Sequence, residues 1–253
     1  MNYNQLYDLC LSYSKLVKGV IDIRKYTYYA ITYHSTTLEG STLTESQVFD
    51  LLEYGKTSKN KPFEHHQMVF DHFNALLLVS ELVKSKSIIS EKTIKLINAT
   101  VIKNTGSKIN TIAGSFDSSK GDYRLCSVRA GSRYFPDYKK VPYLMKNLII
   151  ENNRLVSNAK TFKQKCEAAF SLHFNFISIH PFADGNGRTS RLLMNYILAY
   201  FNLPMFYISH TVKVSYINAL EDSRKKENLN PFYNFMFAQY KKFLSKEIIS
   251  LKK

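Results

Sequence analysis

A turn built around two glycines and opening straight into an apolar helix constrains this chain more than any other feature in it. The stretch reads His180-Pro181-Phe182-Ala183-Asp184-Gly185-Asn186-Gly187-Arg188-Thr189-Ser190-Arg191, and behind it Leu192, Leu193, Tyr196, Ile197 and Tyr200 recur at helical spacing. Gly185 and Gly187 admit backbone conformations that other residues avoid, and they let a ligand approach the main chain closely. Free N–H groups at the start of a helix point outward, and the helix dipole adds positive character there. Arg188 and Arg191, three apart on the helix, project from one side and can grip phosphate oxygens in pairs. The pattern is a phosphate cradle.

The residues at its edges indicate the chemistry. A carboxylate at Asp184, beside a polyphosphate, calls for a cation between them, and Mg²⁺ typically takes one or two carboxylates plus phosphate oxygens. The Asn186 amide can donate to a phosphoryl oxygen. His180 titrates near neutral pH and suits a general base that deprotonates an attacking hydroxyl. Base, metal carboxylate, anion hole and cationic clamps together read as nucleotidyl or phosphoryl transfer.

This segment resembles the signature of Fic-domain proteins, His-Pro-Phe-x-(Asp/Glu)-Gly-Asn-Gly-Arg-x-x-Arg, and agrees with it at every defined position. The resemblance implies transfer of AMP from ATP to a Ser, Thr or Tyr hydroxyl of a protein, with release of pyrophosphate. It implies His180 as base, Phe182 packed inward to hold the loop, and Asp184 as the Mg²⁺ ligand. Gly185, Asn186 and Gly187 become the anion hole, Arg188 holds the phosphates beyond the transferred one, and Arg191 engages the γ-phosphate. A phosphorylating toxin branch of the family replaces the two glycines; their presence here favours adenylyl transfer.

Two further segments extend the likeness. Ser35-Thr36-Thr37-Leu38-Glu39-Gly40 fits the family's inhibitory pattern, (Ser/Thr)-x-x-x-Glu-(Gly/Asn), at the end of a helix that Gly40 would close in a left-handed cap. By resemblance Glu39 reaches across the fold to Arg191, and an arginine held by a carboxylate cannot hold a γ-phosphate. Downstream, 121–129 and 130–136 read as two short extended runs around a Gly-containing turn. The family's target-docking flap lies here. Its residues Tyr123, Arg124, Leu125, Cys126, Ser127 and Val128 are expected to align an incoming segment by strand addition.

Helix signals fill most of the remainder. Thr44-Glu45-Ser46-Gln47 forms a capping box for a helix over 45–54, and further helices are expected over 63–84, 90–102, 142–155, 162–178, 188–201, 211–227 and 230–249. The expected class is all-α, a Fic-type helical fold with a small β-hairpin flap. Residues 1–90 form an N-terminal helical region that includes the inhibitory helix at about 28–40. Residues 91–253 form the catalytic core, with the flap at about 121–136, and the two parts are expected to pack as one unit.

Composition narrows the partners. No run reaches transmembrane length, so no membrane partner is expected. Cys10, Cys126 and Cys166 are scattered, odd in number and without metal-site spacing, which fits a reducing cytoplasmic setting. The net charge of +15 raises nucleic acid as a partner, but the cations are spread along the chain and no nucleic-acid-binding signature accompanies them. His65, His66 and His72 share a helical region without the carboxylate or cysteine that would complete a metal site. The expected activity is a protein adenylyltransferase restrained by Glu39 with help from Ser35. Mg²⁺ is its cofactor, and its partners are ATP and a target protein, with a second copy of the chain an open alternative. Two other readings stand beside it: removal of AMP from a modified protein at the same site, and a basic nucleic-acid-binding module whose signature is inert.

Overall fold

Side-chain caps written into the sequence start several of the helices. Thr44 accepts from the Gln47 N–H while the Gln47 side chain accepts from the Thr44 N–H, and Thr161 and Gln164 repeat this reciprocal box. Ser90 caps its helix through the Thr93 N–H. The computed structural model describes residues 2–131 and 133–252. Met1, Ser132 and Lys253 fall outside the described residues, among them the serine expected in the second extended run.

Ten α-helices are present among the described residues: α1 (Tyr3–Val17), α2 (Ile21–Leu38), α3 (Glu45–Tyr54), α4 (Phe63–Lys84), α5 (Glu91–Val101), α6 (Val141–Asn158), α7 (Phe162–Ile179), α8 (Asn186–Tyr200), α9 (Lys213–Lys225) and α10 (Asn230–Leu251). The sequence reading assigned no helix to α1. Asn2 caps it by accepting from the Asn4 and Gln5 N–H groups, and Leu6, Cys10 and Tyr13 bury one stripe of it. Full burial of Leu6 alone contributes about 2 kcal/mol.

The centre of the molecule is α8. Almost every residue from Asn186 to Leu198 is buried, as expected of a helix surrounded on all sides. The helices α7, α4, α5 and α2 lie against it, with α6 behind α7 and the pair α1 and α10 closing the far side of α7. One apolar core runs through these helices from Leu6 to Ile248, and a smaller cluster of Leu43, Val48, Leu51 and Val69 seats α3.

Two short antiparallel hairpins interrupt the helices. β1 (Lys108–Thr111) pairs with β2 (Gly114–Asp117), and β3 (Arg129–Ala130) pairs with β4 (Arg133–Tyr134). The second lies inside the expected flap but is much shorter than the two runs expected over 121–136. Residues 121–128 form no ladder because their polar groups are committed elsewhere. The Arg124 N–H donates to the Pro181 carbonyl at 3.0 Å, and the Arg124 guanidinium takes up the carbonyls of Cys126 and Pro136. The first hairpin was not anticipated.

Candidate active site

Helix α7 ends on His180, which adopts the left-handed conformation with φ 55° and ψ 59°. A non-glycine residue holds that conformation only where its surroundings enforce it. Here the His180 N–H donates to the Phe176 carbonyl at 2.9 Å, and the His180 carbonyl accepts from Arg124 Nε at 2.8 Å. The imidazole stacks on Phe135, ring centroids 3.9 Å apart and planes 20° apart. Burial pushes its pKa down to about 4; the Ile177 backbone opposes the shift, and the Arg124 and Arg133 cations reinforce it. At neutral pH the ring is therefore uncharged and carries a free lone pair.

The loop that follows is braced from inside. Phe182 is wholly buried, and its N–H and carbonyl are both taken by the Asn186 side chain, at 3.0 and 2.9 Å. This corrects the expectation that the Asn186 amide faces a phosphoryl oxygen: the amide is spent on holding the turn, and only the backbone of Asn186 remains for an anion. Asn98 donates to the Asp184 carbonyl and to Thr189 Oγ1 at 3.2 and 3.1 Å, locking the loop to α5. Gly185 caps α8 with φ 76°, packed against Asn98, Val101 and Ile102. Gly187 is already helical, so α8 begins two residues earlier than expected. What Gly187 supplies is room.

Glu39 fills that room. A β-carbon on Gly187 would lie 2.1 Å from Glu39 Oε1, so the carboxylate rests directly on the start of α8, where the dipole favours an anion. Glu39 comes from the C-terminal end of α2, closed by Gly40 at φ 102°. Arg191 Nη2 donates to Glu39 Oε1 at 2.7 Å and to the Ser35 carbonyl at 2.8 Å, while its Nε donates to Ser35 Oγ at 2.9 Å. Arg191 and Ser35 are buried, and the Glu39 side chain is about a third exposed, at 35%.

Arg188 is almost wholly buried, and the sequence reading had it beside Arg191 facing a ligand. Instead Nη2 donates to Asp184 Oδ2 at 2.9 Å and Nη1 to the Val101 carbonyl at 3.3 Å. Asp184 keeps 69% of its side chain exposed at the mouth of the cradle. Among the described residues no cluster of three or more metal-ligating side chains exists. A cation held mainly by phosphate oxygens and water needs only one such carboxylate, so Asp184 fits a Mg²⁺ that arrives with nucleotide.

The six flap residues divide by exposure. Arg124 is wholly buried, and its guanidinium is taken by three backbone carbonyls, so it has no face to offer a target. Tyr123 packs its ring 5.4 Å from Phe182, with Lys95 over it at 4.3 Å. The Leu125 carbonyl accepts from Thr111 of the first hairpin at 3.1 Å, and Cys126 is half-buried. Ser127 is exposed, and Val128 is half-buried with its carbonyl accepting from the Phe135 N–H.

Sequence reasoning overlooked several groups around the site. His173, buried in α7, shares a 2.7 Å hydrogen bond with the Tyr216 hydroxyl. His34, one residue before Ser35, sits with Nδ1 2.9 Å from Nδ1 of His210 and stacks on Tyr207 at 4.0 Å. Of the three histidines in 63–84, His65 bonds Thr42, His66 accepts from the Ser58 N–H, and His72 is wholly buried. Residues 34 and 210 are 176 positions apart, and no short-range pattern links them.

The fold and the loop agree with what comparison with known proteins finds. Residues 88–198 match the Fic/DOC family model. A Fic domain containing signaling protein from Bacteroides thetaiotaomicron has the same fold, with a TM-score of 0.83 and 25% identity over 100% of this chain and 97% of that one. Fic-1 (residues 134–508) from C. elegans gives a TM-score of 0.80 at 23% identity over 99% of this chain and 72% of that one, a likeness of fold. The matched residues 88–198 lie in a chain that has the Fic-type helical fold. More particularly, the chain is 27% identical over 213 residues, 84% of its length, to the protein adenylyltransferase Fic of Drosophila mojavensis. It spans 40% of that relative's length. No described helix is long and apolar enough to cross a membrane.

Proposed function

We propose that this chain is a protein adenylyltransferase held in check by its own Glu39. The observation that carries the reading is the seat of the Glu39 carboxylate: against Gly187 at the start of α8, and bonded to the one arginine that the signature reserves for the terminal phosphate.

In the released state, with Glu39 off Gly187, the α8 N-terminus receives the phosphates of ATP and Arg191 turns from Glu39 to the γ-phosphate. The target hydroxyl oxygen attacks the α-phosphorus, and its proton passes to neutral His180. The bond between the α-phosphorus and the α,β-bridging oxygen breaks, and pyrophosphate leaves with that electron pair. Mg²⁺, when bound at Asp184, would neutralise charge on the phosphates. Freed of Asp184, Arg188 would stabilise charge on the leaving group. The positioning of His180 by the left-handed turn keeps the base at a fixed place beside the cradle.

Mass spectrometry of the Glu39→Gly protein incubated with Mg·ATP, alone and with added His180→Ala, tests this. AMP adducts on the first and none on the second, with matching circular dichroism, support the reading; adducts on both exclude His180 as base. The partly exposed Glu39 carboxylate at the cradle supports a second reading, hydrolytic removal of AMP: Glu39 orients a water toward the α-phosphorus of a modified residue, whose side-chain oxygen leaves as the hydroxyl. Release of AMP from a pre-modified target by the protein with Glu39 intact, lost on Glu39→Gly, would select it.

A further inference from the structure

Arg124 is a buried cation that forms no ion pair, with the Asp137 charge acting on it only from a distance. It has no exposed surface, and among the described residues no carboxylate lies within 4.0 Å of its guanidinium. Burying a charge outside an ion pair is costly, and here all of its hydrogen bonds go to backbone carbonyls. Nε takes the His180 carbonyl at 2.8 Å, Nη1 the Cys126 carbonyl at 2.7 Å, and Nη2 the Pro136 carbonyl at 2.5 Å. Those three carbonyls belong to the base itself, to the entry of the flap and to its exit. The Arg124 N–H adds a fourth link, to the Pro181 carbonyl at 3.0 Å. Only the planar, five-donor fork of arginine can serve three carbonyls so placed; a lysine ammonium is a single point at the end of a flexible stem.

The flap reaches His180 a second time through Phe135, whose ring stacks on the imidazole at 3.9 Å. Phe135 follows β4 directly, and its N–H donates to Val128, so the ring is tied to the hairpin. Arg133 of β4 lies over that same ring at 4.9 Å and pairs with Glu221 of α9 at 3.3 Å. The backbone and the ring of His180 are thus both fixed by the segment that would dock a target.

We propose that Arg124 and Phe135 are positioning residues that join the flap and the base into one mechanical unit, Arg124 through the His180 carbonyl and Phe135 through its ring. A segment docked along the flap then sets the angle at which His180 meets the incoming hydroxyl. The proposal rests on the reading of His180 as the base, and it moves Arg124 from target contact to the support of that base.

The test uses the full chain in the Glu39→Gly background, with Arg124→Lys, Phe135→Leu and Phe135→Tyr. Two quantities are read: initial rates resolved into kcat and KM for ATP, and the NMR titration of the His180 C2 proton, assigned by its loss in His180→Ala. Arg124→Lys is expected to lower kcat about 100-fold while KM for ATP stays within about 3-fold, since the ring shifts but the cradle does not. Phe135→Leu is expected to raise the His180 midpoint from about 4 toward 6.5 as the ring loses its cover, with kcat down about 10-fold; Phe135→Tyr restores both. A midpoint and a kcat unchanged from the parent in Arg124→Lys and Phe135→Leu would overturn the proposal. If the parent transfers no AMP, the transferase reading fails. The titration then decides the positioning claim by itself, since Phe135→Leu at the half-buried rim leaves the core intact.

Discussion

Arg191 and Glu39 are 152 positions apart in sequence and meet at 2.7 Å, with the carboxylate resting against the glycine one turn before the arginine. One contact thus closes two halves of the same site. In the proposed reading it denies Arg191 to the phosphates and puts an anion in their place.

Replacing Glu39 with Gly or Gln is expected to raise AMP incorporation at least 10-fold, with Gln the weaker of the two because it keeps the bulk over Gly187. The Gly change leaves the buried Arg191 guanidinium with only Ser35, so stability falls by about 2 kcal/mol. Activity and melting temperature should therefore move in opposite directions, which radiolabelling and calorimetry on the same samples will show.

Ser35 holds Arg191 through both its hydroxyl and its carbonyl. Ser35→Ala removes the first and spares the second, at a cost of about 1.5 kcal/mol. A several-fold rise in labelling is expected, smaller than that of Glu39→Gly. A rise equal to it would place the restraint in Ser35 rather than in the carboxylate.

Acid should loosen helix α2. His34 lies against Tyr33, Tyr207, His210 and Lys246; burial, then the His210 and Lys246 charges, push its pKa down to about 3. Its Nδ1 accepts from the His210 backbone N–H at 3.4 Å, and a protonated Nδ1 cannot. A lowered pKa means stability that is complete above the ordinary value of 6.5 and lost progressively as pH falls toward 3, about 1.4 kcal/mol per pH unit for one such group. His173, pushed to about 3 by burial, adds a slope of the same sign. Thermal melts of His34→Gln between pH 7 and 4.5 should show a shallower decline than the parent; identical slopes would rule out His34 as a source.

With its pKa near 4, His180 stays unprotonated throughout the neutral range. The Glu39→Gly rate is expected to be flat from pH 8 to about 5.5 and to fall below that. A fall starting near 6.5 would mean that the ring is not covered by Phe135 in the working enzyme.

Gly185→Ala meets a backbone at φ 76° and neighbours 2.9 Å away on Asn98 and Ile102. A loss of about 1–3 kcal/mol and of transfer activity is expected, read by denaturant melts and labelling.

The parts of this structure visible in the sequence are those set by neighbours in the chain. The capping box at Thr44 and Gln47 and the full extent of α4 could be read directly, because caps and helical periodicity act within a few residues. The signature turn could be read for the same reason. What escaped depends on distant partners. Asn186 spends its amide on Phe182 because the loop folds back on itself, and Arg124 is drawn inside by carbonyls that a linear reading cannot place beside it. The first hairpin rests on four-residue strands, below the length at which alternation is informative, and α1 carries only a narrow buried stripe. The meeting of His34 with His210 leaves no local signal at all.

On the proposed function, the cradle performs adenylyl transfer once Glu39 leaves it. The most direct test is a time course with α-labelled and γ-labelled Mg·ATP on the parent protein and on Glu39→Gly. The expected result is α-label on protein for Glu39→Gly, little for the parent, and no γ-label on either. Equal α-labelling of the two would remove Glu39 as the restraint, and γ-label on protein would contradict adenylyl transfer itself.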